Sequence, residues 1–132
     1  MVYLRPPAFQ RRVFNILAMK FGIGGAQTLV VTGRKSGTRQ TIPVIPIQHG
    51  GRRYVVSTRG EAEWVRNLRA ANGACELRKG GSSEKLRAAE VPVEERAPII
   101  DEYRSKLGRQ VKGYFEKLPD GADHPVFRLD SA

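Results

Sequence analysis

Strand-like runs separated by short turns constrain the fold of this chain more than any other sequence feature. Most of these turns are too short to hold a crossover helix, so neighbouring strands are expected to be antiparallel. A sheet of about six such strands exposes two edges, and closure into a small barrel removes them. The runs that predict strands are residues 27–32, 40–48, 53–58, 74–79, 85–93 and 125–129.

Three amphipathic helices accompany the strands. Apolar side chains recur at helical spacing in residues 8–17, whose opposite face is basic, and three glycines follow before residue 26. Residues 61–71 and 94–107 show the same periodicity. The sequence therefore predicts a single α+β domain overall, with an N-terminal amphipathic helix within residues 1–25 and a barrel over residues 26–132.

The basic helix near the N-terminus is open to two interpretations. Its apolar face can cap the core, which is the usual arrangement for an amphipathic helix. A basic amphipathic helix is also typical of segments that lie on an anionic membrane or cover a substrate site. The first interpretation is favoured, and the second keeps peripheral membrane association open.

The charge and cysteine content limit the classes of partner. A formal net charge of +10 over 132 residues indicates an anionic partner. Nucleic acid is disfavoured, because the chain has no zinc-finger spacing, basic-zipper region or aromatic RNA-binding signature. The single cysteine, Cys75, excludes an internal disulfide, and no signal peptide or membrane-spanning run is visible, so a cytoplasmic location is expected. Two scattered histidines and Cys75 predict no metal site.

The strongest functional signal is the loop at residues 33–39, with the sequence GRKSGTR. Its glycines allow a tight turn that presents backbone N–H groups to a ligand. Arg34, Lys35 and Arg39 add positive charge, and the two arginines add forked donors. This combination predicts a site for phosphate.

Four motifs occur in the order and at the spacing of the deazaflavin-dependent nitroreductase family, which the chain resembles from about residue 26 to residue 130. They are GRKSG at 33–37 followed by Pro43, YVVS at 54–57, WVRNLRA at 64–70 and HPVFRL at 124–129. The resemblance implies a split β-barrel that binds coenzyme F-420, an 8-hydroxy-5-deazaflavin whose tail carries a phosphodiester and several glutamates. It also implies an oxidoreductase that passes hydride to a small-molecule acceptor, either quinone-like or nitroaromatic.

The resemblance further assigns residues to the coenzyme and the substrate. Those expected to bind the coenzyme are Arg34, Lys35, Ser36, Gly37, Arg39, Pro43, Val44, Thr58, Arg59, Gly60, Trp64 and Asn67. The members from the 33–39 loop would hold the tail phosphate, residues 43–44 and 58–60 would border the ring, and the two helical residues would support the wall along the tail. Thr58 and Tyr114 are the expected catalytic residues. Tyr114 is placed in an irregular segment, from which it donates to an oxyanion on the acceptor.

Two further expectations concern the positions of Arg39 and His124. Relatives often carry arginine where this chain has Gln40, and Arg39 stands one place earlier. One place along a strand reverses the face, so Arg39 replaces that arginine only if the loop is bulged. His124 precedes a proline and is expected in a turn or at the surface.

Two alternative functions stay open beside the deazaflavin enzyme. An enzyme that uses flavin mononucleotide (FMN) could hold its phosphate in the same loop. A non-enzymatic basic module could instead bind membrane lipid or nucleic acid, with an affinity that falls steeply with salt. For assembly, a monomer or a homodimer is expected.

Overall fold

The computed structural model describes residues 26–132, which contain seven strands and three α-helices. The strands are β1 (Gln27–Thr32), β2 (Arg39–Val44), β3 (Ile47–His49), β4 (Arg52–Val56), β5 (Ala74–Lys79), β6 (Ser82–Glu90) and β7 (Val126–Ser131). The helices are α1 (Glu63–Ala70), α2 (Ala97–Leu107) and α3 (Arg109–Lys117), with short 3-10 turns at Val93–Glu95 and Gly121–Asp123. The helix predicted within residues 1–25 lies outside the described residues.

The strands form one curled antiparallel sheet in the order β2-β1-β5-β6-β7-β4-β3. Its two edge strands, β2 and β3, are consecutive in sequence, and only Ile45 and Pro46 separate them. The sheet therefore has to curl until its edges approach each other, which confirms the expected split barrel. The seventh strand arises because the predicted strand at 40–48 is divided at Pro46, a residue that cannot donate to a strand ladder.

Two apolar cores lie on opposite faces of this sheet. The barrel interior is filled by Leu29, Val31, Val55, Ala62, Val65, Leu68, Leu77, Leu86, Ala88, Phe127 and Leu129. The outer core, between the sheet and helices α2 and α3, consists of Ile47, Val56, Val91, Ile99, Ile100, Tyr103, Leu107, Val111, Phe115 and Val126. Strand alternation explains the division, since Val55 belongs to the interior and its neighbour Val56 to the outer core.

Helix α1 packs on the barrel interior and ends where the sequence predicts. Val65 and Leu68 lie three residues apart on one face, and both are fully buried. The helix stops at Asn72 (φ 52°) and Gly73 (φ 84°), which adopt left-handed conformations. Gly73 is also required for space, because a Cβ atom there would collide with the carbonyl group of Ala88.

The expectation of an irregular segment around Tyr114 is wrong, because residues 109–117 form α3. Gly108 (φ 55°) ends α2 and precedes α3. Val111 and Phe115 lie four residues apart and are buried, whereas Gly113 is exposed. Gly113 therefore weakens the local helix preference without opening a gap in the core, and burial of the apolar face decides the conformation.

An ion-pair network, which we call the brace, joins α1, β6 and α2. It consists of Glu61, Arg69, Glu90 and Arg96. Arg69 donates to Glu61 (Nη1 to Oε2, 2.6 Å) and to both oxygens of Glu90 (2.8 and 2.7 Å). Arg96 is only 5% exposed and donates to Glu90 (3.2 Å) and to the carbonyl oxygen of Val91 (2.9 Å). Hydrogen bonding from Arg69 is the main cause that lowers the pKa of Glu90.

Candidate functional site

The loop at residues 33–39 is a tight turn closed by its own backbone. The N–H of Gly33 donates to the carbonyl oxygen of Thr38 (2.7 Å), and the N–H of Gly37 donates to that of Gly33 (2.9 Å). Gly37 adopts φ 72°, a conformation that favours glycine. The hydroxyls of Ser36 and Thr38 lie 2.7 Å apart, so the turn is held by side chains as well. The predicted tight glycine loop is therefore present.

Asn67 anchors this loop to α1. Its side-chain oxygen accepts from the backbone N–H of Arg34 (3.1 Å) and from the Arg34 guanidinium (Nη1, 2.7 Å). Asn67 is only 7% exposed, so this amide is a fixed partner rather than a solvated one. The structure thus brings together two residues that the resemblance assigned separately to the loop and to the tail-binding wall.

Arg34 has a second, different partner in Glu63, at the first residue of α1. Its Nη1 lies 2.6 Å from Oε2 of Glu63, whose side chain is 61% exposed. The pKa of Glu63 is lowered mainly by this hydrogen bond, and the charges of Lys35 and Arg66 act in the same direction. One cation therefore contacts this exposed carboxylate, and two others act on it electrostatically.

Arg66 completes this group, which we call the rim cluster: Arg34, Lys35, Glu63, Arg66 and Asn67. The Nε atom of Arg66 is buried and has no hydrogen-bond partner among residues 26–132. A buried donor without an acceptor is unfavourable, so Arg66 carries an unmet donor in the residue that precedes Asn67. Glu63 and Arg66 were not predicted from the sequence as site residues. The available signal was their spacing of three residues on the helix that carries Asn67.

Arg39 does not join the rim cluster. It is paired with Thr32 in an unbroken register, so the loop is not bulged, and it lies on the outer face of the barrel. There it forms an ion pair with Glu76, which also accepts from Arg78 (3.2 Å) and Ser83. The hydrogen bond from Ser83 is the largest of the causes that lower the pKa of Glu76 to about 2.

The turn at residues 57–60 lies directly before α1, at the same end of the helix as the rim cluster. The Ser57 hydroxyl donates to the carbonyl oxygen of Gly60 (2.6 Å), and Gly60 adopts φ 84°. Arg59 projects from this turn to Tyr114, with its guanidinium carbon 4.6 Å from the ring centroid and a hydrogen bond to the hydroxyl. The structure therefore brings Arg59 and Tyr114 together, and Thr58 stands half-buried in the same turn.

His124 is a buried residue, which corrects the expectation of a surface position. Its side chain is fully enclosed, with Nδ1 2.8 Å from the carbonyl oxygen of Ser57 and Nε2 2.6 Å from that of Leu118. Its ring stacks on Phe115 at a centroid distance of 4.2 Å. His124 thus ties the 57–60 turn to the end of α3, the helix that carries Tyr114.

The remaining predicted residues divide between the two faces of the sheet. Val44 and Trp64 are half-buried against the barrel interior, and Trp64 lies 6.0 Å from the ring of Phe127. Pro43 is paired with Thr28 and faces the other side of the sheet. Strand alternation therefore separates Pro43 from Val44, although the sequence places them side by side.

Comparison with known proteins adds a family to this geometry. Residues 8–117 match the family model described as F420H2-dependent quinone reductase. The chain belongs to this family. It is accordingly an F-420-dependent reductase, and coenzyme F-420 is its cofactor. No curated protein matches the chain.

Solved structures share the fold at low sequence identity. One described as a domain-swapped dimer is 19% identical over 92% of this chain and 95% of its own, with a TM-score of 0.59. A heme storage protein from Vibrio cholerae is 14% identical over 84% of each chain (TM-score 0.61). A protein of unknown function from Agrobacterium tumefaciens is 18% identical over 97% of this chain and 57% of its own (TM-score 0.63). These similarities show the split-barrel fold alone.

The residues at the start of α1 fit the coenzyme of this F-420-dependent reductase. The coenzyme tail is polyanionic, and the rim cluster carries three cations, of which Arg34 is held in place by Asn67. In residues 26–132, no helix is both long and apolar enough to cross a bilayer.

Proposed function

We propose that this F-420-dependent reductase delivers hydride to a quinone and holds the anionic tail of its coenzyme at the rim cluster. The observation that carries the proposal is the Arg34 guanidinium, which buried Asn67 holds beside the glycine loop. Lys35, next in the loop, and Arg66, the residue before Asn67 in α1, add two nearby positive charges. When bound, the reduced deazaflavin supplies the hydride by its own chemistry, while the protein supplies position and electrostatics.

The tail site is preorganised by neutral contacts. Asn67 already holds Arg34 through its backbone and its guanidinium, so little side-chain entropy is lost when Arg34 meets a phosphate. In this proposal Lys35 adds an exposed charge, and Ser36 offers its hydroxyl at the exposed tip of the loop. Gly37, whose N–H is bonded to Gly33, contributes the tight turn that shapes this tip. Trp64 supports the wall from the barrel side.

The ring and the acceptor are assigned to the 57–60 turn. A quinone oxygen gains negative charge as it accepts hydride, and donors aimed at that oxygen stabilise the charge. Tyr114 and Arg59 are hydrogen-bonded to each other and can present such donors, with Thr58 and Gly60 beside them. Of the two residues predicted at the ring edge, Val44 faces the barrel interior, so we assign that contact to Val44 rather than Pro43.

Assembly and location belong to the proposal as well. One structural relative is described as a domain-swapped dimer, which favours a homodimer over a monomer for this chain. The cytoplasmic location, peripheral membrane association through residues 1–25 and the domain boundary at residue 26 stay predictions from the sequence.

The test is the double variant Arg34→Ala/Lys35→Ala, titrated with coenzyme F-420 by fluorescence. Removal of two charge-assisted contacts is expected to weaken binding by about 2–3 kcal/mol. A matched control exists in Arg78→Ala/Lys79→Ala, which removes an exposed Arg-Lys pair of the same charge from β5. Unchanged affinity in the first variant would contradict the tail site, and tight binding of FMN by the wild type would favour the flavin alternative.

A further inference from the structure

The carboxylate of Glu63 is an unexpected component of a site for an anion. It forms an ion pair with the Arg34 guanidinium at 2.6 Å, and the charges of Lys35 and Arg66 act on it electrostatically. A negative side chain in this position competes with any anionic ligand for the same donors. Its presence therefore needs a reason beyond ordinary surface charge.

The two partners of Arg34 differ in how easily they can be exchanged. Asn67 is buried, neutral and bound to Arg34 at two atoms, so it stays in place when a ligand binds. Glu63 is 61% exposed and holds Arg34 through a single nitrogen, so rotation of its side chain releases it into solvent. Exposed ion pairs of this kind contribute little to stability, and breaking this one costs little.

We propose that Glu63 is an internal placeholder for the coenzyme's anionic tail: its carboxylate occupies the Arg34 donor until a phosphate or glutamate of the tail displaces it. This inference rests on the proposed function, since it needs the tail to bind at the rim cluster. Asn67 keeps Arg34 oriented between catalytic cycles, and the placeholder occupies its free donor, which sets the affinity below the value that the cations alone would give.

A fixed positioning role for Glu63 predicts the opposite outcome. If Glu63 had to hold Arg34 in the complex with coenzyme, its neutralisation would release Arg34 and weaken binding. If Glu63 competes with the tail, neutralisation removes the competitor and strengthens binding. The sign of the change in dissociation constant therefore separates the two roles.

The experiment compares Glu63→Gln with the wild type in fluorescence titrations. One ligand is coenzyme F-420, and the other is the corresponding ribityl deazaflavin, which lacks the phosphodiester and glutamates. We expect roughly two- to fivefold tighter binding of coenzyme F-420 by Glu63→Gln, the range that the loss of an exposed ion pair produces. The affinity for the tailless ribityl deazaflavin should not change. Equal or weaker binding of coenzyme F-420 would overturn the placeholder.

Two further variants make the result specific. Glu95→Gln removes an exposed carboxylate of the same charge away from the rim cluster, and it should leave both affinities unchanged. If it tightens binding as much as Glu63→Gln, the tighter binding is a general effect of net charge, and the placeholder role is contradicted. Arg34→Ala/Lys35→Ala in the same titration tests the tail site itself. If Arg34→Ala/Lys35→Ala loses affinity and Glu63→Gln gains none, only the placeholder role is contradicted. If Arg34→Ala/Lys35→Ala loses no affinity, the proposed function is contradicted.

Discussion

The rim cluster and the brace use the same chemistry for different purposes. Both join arginines to glutamates at α1, one at its start and the other towards its end. In the brace, Arg96 is 5% exposed and has a carboxylate and a backbone carbonyl as partners. In the rim cluster, Glu63 is 61% exposed and has one close contact.

This difference shows that burial and the number of partners decide whether an ion pair is a fixed structural contact or can exchange its partner. A buried guanidinium cannot leave its carboxylate without stranding a charge, so the brace is structural. An exposed pair can open to water at little cost, so the rim cluster is available to a ligand. Changes in the brace should therefore alter the free energy of unfolding, whereas changes in the rim cluster should alter binding.

The largest expected effect is that of Arg96→Met. This change removes the buried partner of Glu90 and the donor to Val91, and the free energy of unfolding should fall by about 3 kcal/mol. Urea unfolding at neutral pH measures it. Arg52→Met is the control, since Arg52 is 58% exposed and its loss should cost less than about 0.5 kcal/mol. Equal losses in the two variants would remove the distinction between the brace and an ordinary surface pair.

A smaller effect depends on pH and tests the brace through Glu90. Its pKa is lowered in the folded state, so its contribution to stability is complete above the unfolded-state value of about 4.3 and is lost as pH falls through the lower folded value. The wild type should therefore exceed Glu90→Gln in unfolding free energy at pH 7, and the difference should shrink below about pH 4. A difference that does not depend on pH would mean that packing, rather than charge, carries the contribution of Glu90.

The smallest expected effect sharpens the boundary of the rim cluster. Arg39 lies on the outer face and pairs with Glu76, so Arg39→Ala should change the affinity for coenzyme F-420 by less than about twofold. The fluorescence titration used for Arg34 and Lys35 measures this as well. A loss as large as theirs would return Arg39 to the tail site that the family resemblance assigned to it.

Most of the strands and helices that the sequence predicts correctly follow from local patterns of apolar and turn residues. The bounds of β1 and β5 match the prediction residue for residue, because each strand is followed by a glycine that ends it. The predicted strand at 85–93 starts three residues too late, since Ser82 and Ser83 extend the ladder with β5 despite their polar character. α3 was missed because Gly113 and its polar neighbours hide an apolar face of only a few residues.

The candidate site was predictable where a single segment forms it and not where distant segments meet. The glycine loop follows from its own sequence, whereas its anchor on Asn67 joins residues 33 positions apart. Because side chains alternate along a strand, Arg39 was expected on the opposite face unless the loop bulged. The unbroken register shows that the loop does not bulge. The burial of His124 depends in part on the carbonyl group of Ser57, which lies 67 positions away and which no local pattern encodes.

The two-residue connection between β2 and β3 has a consequence for how this molecule comes apart. Val44, at the end of β2, packs against the barrel interior, and the next residue, Ile45, packs against the outer core. Adjacent residues in the chain thus belong to the two different cores. Unfolding of one core therefore displaces residues that pack in the other. We therefore expect the domain to unfold in one cooperative transition, without earlier separation of the α2–α3 layer.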